Sequence, residues 1–317
     1  MQNLDKFKNK RIFISGGAGI IGKELVKLLS ELNVKIFVGD LKKRPKEFTK
    51  KIIYRKGDLN NLKERNLKKF KPDIIFHLAA SYERTKESFS FYNTNFLNNI
   101  KLSNHILKIS KNISTIKKFI FASSYLVYDE NLYLVKKNKN ITKSIDENSK
   151  KDSRNLIGSS KLFHEKEIEF FSNFMPKCNF VITRIFRGYG LNSRDVISRW
   201  VRAALRNKTL NVYGENGSFD YIYSEDTASA LISCISCKKK ITYLNVGSGL
   251  SIKIKQAIKI LKYHFPKLKI KKIKSSNTVE KSIANIKKIQ MTTKWIPKID
   301  LSTGIKKILE YEKKKIN

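Results

Sequence analysis

The residues with the clearest chemical use are four glycines and an acid. A short apolar run, Ile12, Phe13 and Ile14, stops at Gly16, Gly17, Gly19 and Gly22. An amphipathic segment from Glu24 to Leu32 follows at once, with Leu25, Leu28, Leu29 and Leu32 on one face. A strand that feeds a helix through a glycine-rich turn is built to hold a pyrophosphate. The first glycine permits the tight turn, the next lets the backbone approach the phosphates, and the third lets helix and strand pack closely. The start of the helix adds unpaired N–H groups and the positive end of its dipole. Gly16, Gly19, Ile20, Ile21 and Gly22 are therefore the expected phosphate cradle. The spacing is Gly-x-x-Gly-x-x-Gly, not the G-x-G-x-x-G of ordinary dehydrogenases, so its context carries the reading. A second apolar run, Lys35-Ile-Phe-Val-Gly-Asp40, ends in a carboxylate about twenty residues on, where an acid accepts hydrogen bonds from the adenosine ribose hydroxyls. Asp40 thus favours NAD as cofactor, while Lys42, Lys43 and Arg44 just beyond are placed to meet the extra phosphate of NADP.

These residues need a scaffold, and the chain supplies strands and helices in alternation. Lys51 to Arg55 reads as a third strand closing on Gly57-Asp58-Leu59, Leu62 to Phe70 as a helix, and Ile74 to Ala80 as a fourth strand. Residues 86–111 have helical period, Lys117 to Ser123 reads as a fifth strand, and Asp129 to Asp152 is polar and lysine-rich without period. A helix near Asn155 to Phe174 precedes a strand from Phe180 to Ile185, and Thr227 to Cys237 again has helical period. Strands alternating with helices at this spacing predict an α/β fold, a Rossmann-like doubly wound parallel sheet with right-handed crossovers. Its ligand crevice lies at the carboxyl ends of the strands.

A chain of 317 residues, 41% of them hydrophobic, can bury a large core and suits one big or two modest domains. No apolar run approaches the ~18 residues of a membrane span, and the first ten residues lack the apolar core of a signal peptide. The cysteines number three, and Cys234-x-x-Cys237 reads as two buried, reduced helix residues and not as a metal pair. A cytoplasmic location is expected. The formal net charge of +39 comes from 54 lysines and 12 arginines scattered along the whole chain, with no arginine and aromatic stripe. It predicts attraction of anionic ligands, not specific nucleic-acid binding. The densest cluster, Lys136-Lys137-Asn138-Lys139, reads as a solvated insertion.

From Arg11 to about Lys307 the chain resembles the extended short-chain dehydrogenase/reductase family of NAD-dependent nucleotide-sugar epimerases and dehydratases. Ser15-Gly-Gly-Ala-Gly-Ile-Ile-Gly22 resembles its opening fingerprint, and His77-Leu-Ala-Ala80 its fourth-strand motif. Phe121-Ala-Ser-Ser-Tyr-Leu-Val-Tyr128, Arg184-Ile-Phe-Arg-Gly-Tyr-Gly190, Tyr221-Ile-Tyr-Ser-Glu-Asp226 and Leu244-Asn-Val-Gly-Ser-Gly249 follow in family order, as does Trp295-Ile-Pro297. The resemblance implies that Asp58 and Leu59 contact adenine, that Ala79 and Ala80 abut the cofactor, and that Asn95 stabilises the active site. It places Ser124 as the catalytic hydroxyl and Lys161 on the nicotinamide ribose. The implied substrate is a nucleotide-sugar or another anionic sugar, transformed in surface-polysaccharide precursor synthesis. It also implies a sheet domain of residues 1–177 with 211–250 returning to it, and a smaller α/β substrate-binding lobe from 178–210 and 251–317. The long helices near 86–111 and 155–174 would pair in a homodimer, aided by Phe163, Ile168, Phe170 and Phe171.

One departure bears on mechanism. The family's catalytic helix opens with tyrosine, three residues, then lysine; here Ile157-Gly-Ser-Ser-Lys161 keeps the lysine and replaces the tyrosine. No tyrosine lies between Tyr133 and Tyr189, so sliding the alignment restores nothing. Isoleucine has no proton to exchange. Tyr125 is the first candidate for a substitute acid or base and for contact with the sugar; His164, on the same helical face as Lys161, is the second. The alternative is an NAD-binding pseudoenzyme or regulatory partner. Tyr125 and Leu126 stand where the family's dehydratases carry acids, which favours epimerisation or simple oxidoreduction over a sugar dehydratase. Phe219 stands where many members place an arginine on the substrate diphosphate, so Arg187 is the candidate replacement cation, with Arg194 and Arg199 behind it.

Overall fold

The computed structural model describes residues 7–82, 87–136, 142–273 and 278–315. Seven parallel strands form its central sheet: β1 (Arg11–Ser15), β2 (Lys35–Asp40), β3 (Ile53–Lys56), β4 (Ile74–His77), β5 (Lys118–Ser124), β6 (Asn179–Ile185) and β7 (Ile241–Val246). Their order across the sheet is 7-6-5-4-1-2-3, every neighbouring pair parallel. The order reverses between β1 and β4, which opens the crevice where ligands bind in such sheets. The strands are nearly continuous apolar runs because helices cover both faces. Successive side chains point to opposite sides: Ile12 and Ile14 join the core under Leu25, Leu29 and Ala228, while Phe13 joins Ile75, Ile106 and Phe119 on the other face.

Helix α1 (Ile20–Ser30) starts earlier than its apolar period suggests, directly at the glycine turn. α2 (Glu64–Phe70) follows β3. The expected helix over 86–111 is α3 (Phe89–Asn95) and α4 (Leu102–Lys111), joined through a π-helical stretch, Phe96–Lys101; residue 86 lies outside the described residues. α5 (Leu156–Ser172) begins where Asn155 Oδ1 accepts from Gly158 N at 3.0 Å.

The helices and paired strands of a second, smaller core come from three separate stretches of chain, with Tyr189, Tyr221 and Tyr223 packed among them. α6 (Val196–Leu205) and the strand Leu210–Tyr213 form one, α8 (Ile254–His264) and the strand Ile270–Ile273 the next, and α9 (Leu301–Lys313) the last. Trp200, Val201, Leu261, Ile305 and Ile308 meet in its centre. Between visits to this lobe the chain returns to the sheet as α7 (Ser224–Ser233), followed by a 3₁₀ turn at Cys234–Ser236 and then β7. The lobe boundaries differ from expectation at two points. Residues 179–185 are sheet, because their apolar run pairs with β5 and is covered on both faces. Residues 211–213 belong to the lobe, because they pair with 271–273.

The polar stretch 129–152 also carries structure that its composition hides. Leu134–Lys136 pairs with Thr278–Glu280, and Lys143–Ile145 with Ser282–Ala284. Strands of three residues are too short to show a period. Lys137, Asn138 and Lys139 of the lysine cluster lie outside the described residues. All three cysteines are free and buried. Among the described residues no helix is long and apolar enough to cross a membrane.

Candidate active site

The glycine turn at the end of β1 is held by contacts that no side chain would permit. Gly16 sits at φ +77°, and a Cβ there would lie 2.6 Å from the Ala79 nitrogen. A Cβ at Gly22 would lie 2.3 Å from the Gly16 carbonyl oxygen. The turn closes through Gly19 N donating to Gly16 O at 3.0 Å, which leaves the N–H groups of Ile20, Ile21 and Gly22 without an acceptor among the described residues. α1 carries no side-chain cap. Three bare N–H groups at the positive end of an eleven-residue helix, beside a turn free of side chains, fit a pyrophosphate.

Asp40, at the end of β2, is buried and accepts from Ala18 N and from Lys42 N, each at 2.9 Å. It ties the glycine turn to the end of β2 and puts its charge beside that turn. Asp58 accepts from Asn60 N at 2.9 Å and caps the turn Leu59–Asn61, and the Leu59 side chain packs against Gly39. Ala79 touches the glycine turn and Ala80 is exposed beyond it. His77 is sealed under this floor: Nδ1 meets Ser15 Oγ at 2.5 Å and Nε2 meets Ser103 Oγ at 2.9 Å. Burial, and after it the Lys161 charge, hold the imidazole far below its usual range, so it is neutral.

Ser124 ends β5, where its Oγ accepts from Leu126 N at 3.2 Å. α5 docks on the same turn so closely that a Cβ at Gly158 would lie 2.4 Å from Leu126 O. Glu87 accepts from Leu156 N and Ile157 N at the helix start, and Ser160 Oγ reaches Asn95 Oδ1 at 3.0 Å. Asn95 also accepts from Asn99 Nδ2 at 2.7 Å, and Asn99 grips Ser81 through its backbone N–H and C=O. The π-helical stretch between α3 and α4 carries this cluster, as such stretches often do at functional sites. These contacts fix Lys161. Its side chain is 6% exposed, its Nζ lies 4.6 Å from the centre of the Phe121 ring, and among the described residues no hydrogen-bond acceptor faces it. Burial pulls the amine down to about 8, with the Glu165 carboxylate working the other way. An unpartnered buried amine is costly unless something polar meets it, and sugar hydroxyls would. Ile157, one turn earlier on the same helix, is buried and inert.

The other candidates are placed differently. Tyr125 is committed to other partners: its ring stacks on Phe186 at 5.2 Å and its hydroxyl donates to Glu280 Oε1 at 3.0 Å. Burial pushes the phenol far up; Arg187 opposes this and Glu280 adds to it, so Tyr125 stays protonated. Arg187 stacks over Phe219 at 4.2 Å and forks onto Glu280 through Nε at 3.1 Å and through Nη2. Arg154 reaches the same carboxylate at 3.2 Å. Burial opposes ionisation of Glu280, but Arg187 and Arg154 outweigh it and hold the carboxyl below its usual range. His164 is fully buried, with Nδ1 on Glu167 and Nε2 on the Asn99 carbonyl at 3.1 Å, so both ring nitrogens are occupied. Arg194 and Arg199 are exposed on and near α6.

Two charged pairs escaped the sequence reading. Glu165 accepts from Ser123 Oγ at 2.6 Å and from Arg184 Nε and Nη2 at 3.0 and 2.7 Å, all of it buried. A signal for it exists, since an arginine inside an apolar strand and a glutamate one turn after a buried lysine both demand partners. Glu280 has none, lying 155 residues from Tyr125 in the chain.

A doubly wound sheet with a bare glycine turn, an acid at the end of the next strand and a buried lysine defines a dinucleotide-dependent enzyme. The comparisons narrow the class: residues 12–247 match the family model of the NAD dependent epimerase/dehydratase family, and the chain belongs to that family. A provisionally named UDP-glucose 4-epimerase of Methanocaldococcus jannaschii is 27% identical over 95% of this chain and 98% of its own. The dTDP-D-glucose 4,6-dehydratase of Dictyostelium discoideum is 29% identical over 80% of this chain and 61% of its own. The UDP-glucuronic acid 4-epimerase of Bacillus cereus, solved with UDP-glucuronic acid and NAD, superposes with a TM-score of 0.83 over 96% of this chain and 99% of that one, at 23% identity.

Proposed function

We propose that the protein is an NAD-dependent epimerase or oxidoreductase that acts on a nucleotide-activated sugar by hydride transfer at a ring carbon. The observation that carries this is the buried, unpartnered Lys161 amine on a helix locked to the Ser124 turn, together with the bare glycine turn at the start of α1. Gly16, Gly19 and the N–H groups of Ile20, Ile21 and Gly22 would receive the diphosphate, Asp40 the adenosine ribose, Leu59 the adenine edge, and Lys161 the second ribose. Bound there, NAD supplies the hydride acceptor and donor. Ser124 would orient the reacting hydroxyl or carbonyl. Arg187, already balanced by Glu280, would meet an anionic part of the substrate by exchanging partners.

The test is direct. Purified protein should bind NAD, and adding the right nucleotide-sugar should raise the reduced-nicotinamide absorption or yield an epimeric product. Failure to take up NAD at millimolar concentration would end this reading. A second reading, an NAD-binding pseudoenzyme, is favoured by the inert Ile157. Turnover that appears only in Ile157→Tyr would establish it.

A homodimer is also proposed. Phe163, Phe170 and Phe174 are exposed along and just beyond α5, and Phe89, Tyr92, Phe96 and Leu97 along α3 and its extension. So much exposed apolar surface on two helices suits a self-association face. Ile168, expected to contribute, is buried in the protein's own core. Sedimentation equilibrium should give twice the chain mass, and a monomer would refute it.

A further inference from the structure

Hydride transfer from an alcohol carbon requires that the hydroxyl proton go somewhere, and this crevice offers few destinations. Ile157 has none to offer. The Tyr125 hydroxyl is committed to Glu280 and the His164 ring to Glu167 and Asn99. His77 lies beneath the floor between two serines. Glu87 spends both carboxylate oxygens on the first N–H groups of α5. Of these groups only the Lys161 amine is buried and unengaged among the described residues; the unpartnered buried phenols of Tyr133 and Tyr221 belong to the Tyr125, Arg187 and Glu280 cluster and not to the α5 side.

Resting on the function proposed above, we propose that the Lys161 amine is itself the proton acceptor of the reaction, in the place of a tyrosine. The substrate O–H bond breaks toward the Nζ lone pair, turning amine into ammonium, and the electrons left on oxygen form the carbonyl. The C–H electron pair leaves as hydride for the oxidised nicotinamide. Reduction reverses both transfers, and delivery to the opposite face of the sugar gives the epimer.

The surroundings suit an amine that must lose and regain a proton near neutrality. Phe121 of β5 supplies an apolar wall and His77 of β4 a neutral neighbour. Glu165 lies one turn along α5, but Arg184 of β6 already holds it in a two-bond pair, and the occupied His164 adjoins it on the same helix. The amine therefore feels burial more than attraction, the reverse of a structural lysine in an ion pair.

The experiment compares wild type with Lys161→Arg, which keeps the charge and the donors but cannot give up its proton. Protein labelled with ¹³C at lysine Cε is titrated by NMR without cofactor. Wild type should show one lysine titrating well below the rest, absent from Lys161→Arg. In single-turnover reduction of bound NAD by the nucleotide-sugar, the wild-type rate should rise with pH along that same curve. Lys161→Arg should bind NAD within ~5-fold of wild type yet reduce it at least ~100-fold more slowly, the span that acid–base catalysis commands. Glu87→Gln should keep the pH limb. Equal reduction rates in wild type and Lys161→Arg, or no low-titrating lysine, overturn the inference and leave the proposed function standing. A wild type inert toward every nucleotide-sugar overturns both.

Discussion

Glu165→Gln is the substitution whose cost the structure specifies best. The carboxylate accepts three hydrogen bonds, from Ser123 Oγ at 2.6 Å and from Arg184 at 3.0 and 2.7 Å, with both partners' side chains no more than 3% exposed. Glutamine keeps one acceptor but turns an NH₂ group toward a guanidinium, which has no lone pair to receive it. Arg184 retains the Tyr128 hydroxyl at 3.0 Å and the Glu147 carbonyl at 2.9 Å, so it stays in place as a buried cation without its counter-charge. Breaking a buried pair from one side costs about 3–5 kcal/mol. For 317 residues the unfolding entropy near the midpoint is roughly 0.7 kcal/mol/K, so Tm should fall by ~4–8 °C. Differential scanning calorimetry measures this, and adding Arg184→Met to the same chain should recover part of the loss. A fall below ~1 °C in the single variant, or a double variant worse than the sum of the singles, would refute the claim that the pair is buried and mutually dependent.

Three other outcomes follow from the same geometry. Gly16→Val should abolish NAD binding in equilibrium titration and lower stability by more than ~2 kcal/mol, since a Cβ would meet Ala79 N at 2.6 Å at a positive φ. Tyr125→Phe removes a hydrogen bond to a charged group and should cost about 1.5–3 kcal/mol in urea unfolding while leaving kcat within ~3-fold; a loss of ~100-fold or more would return the proton to the phenol. Lys161→Met should stabilise the cofactor-free protein by up to ~3 kcal/mol near pH 7, because burial lowers the native amine to about 8 and penalises its charged form. The unfolded chain holds more protons between that value and ~10.4, so wild-type stability rises with pH through this window and the variant's advantage fades. An advantage independent of pH would mean that the amine titrates normally.

The parts of this molecule legible in its sequence are those fixed by neighbours in the chain. The glycine turn, the Asp40 strand end and the alternation of strand and helix each depend on a few adjacent residues. They appear in the structure with shifts of a few residues at their ends, as where α1 begins at Ile20 directly after its turn. The π-helical stretch at Phe96–Lys101 leaves no trace in the apolar period, because one extra residue in a turn hardly disturbs it. What stayed hidden is long-range. Glu280 arrives at Tyr125, Arg187 and Arg154 from a three-residue strand, and β6 joins the sheet when the resemblance assigned it to the lobe. Pairings that depend on which segments meet in space cannot be read from either segment alone.

The smaller lobe takes its helices from three stretches, 196–213, 252–273 and 301–313, and fills its core further from the paired segments 187–189 and 221–223, with sheet elements between them. The lobe therefore cannot be exchanged as a cassette. A chimera that borrows a relative's lobe through one splice would leave Trp200, Leu261 or Ile305 facing a foreign surface, and only matched grafts of every contributing stretch would carry the core over intact.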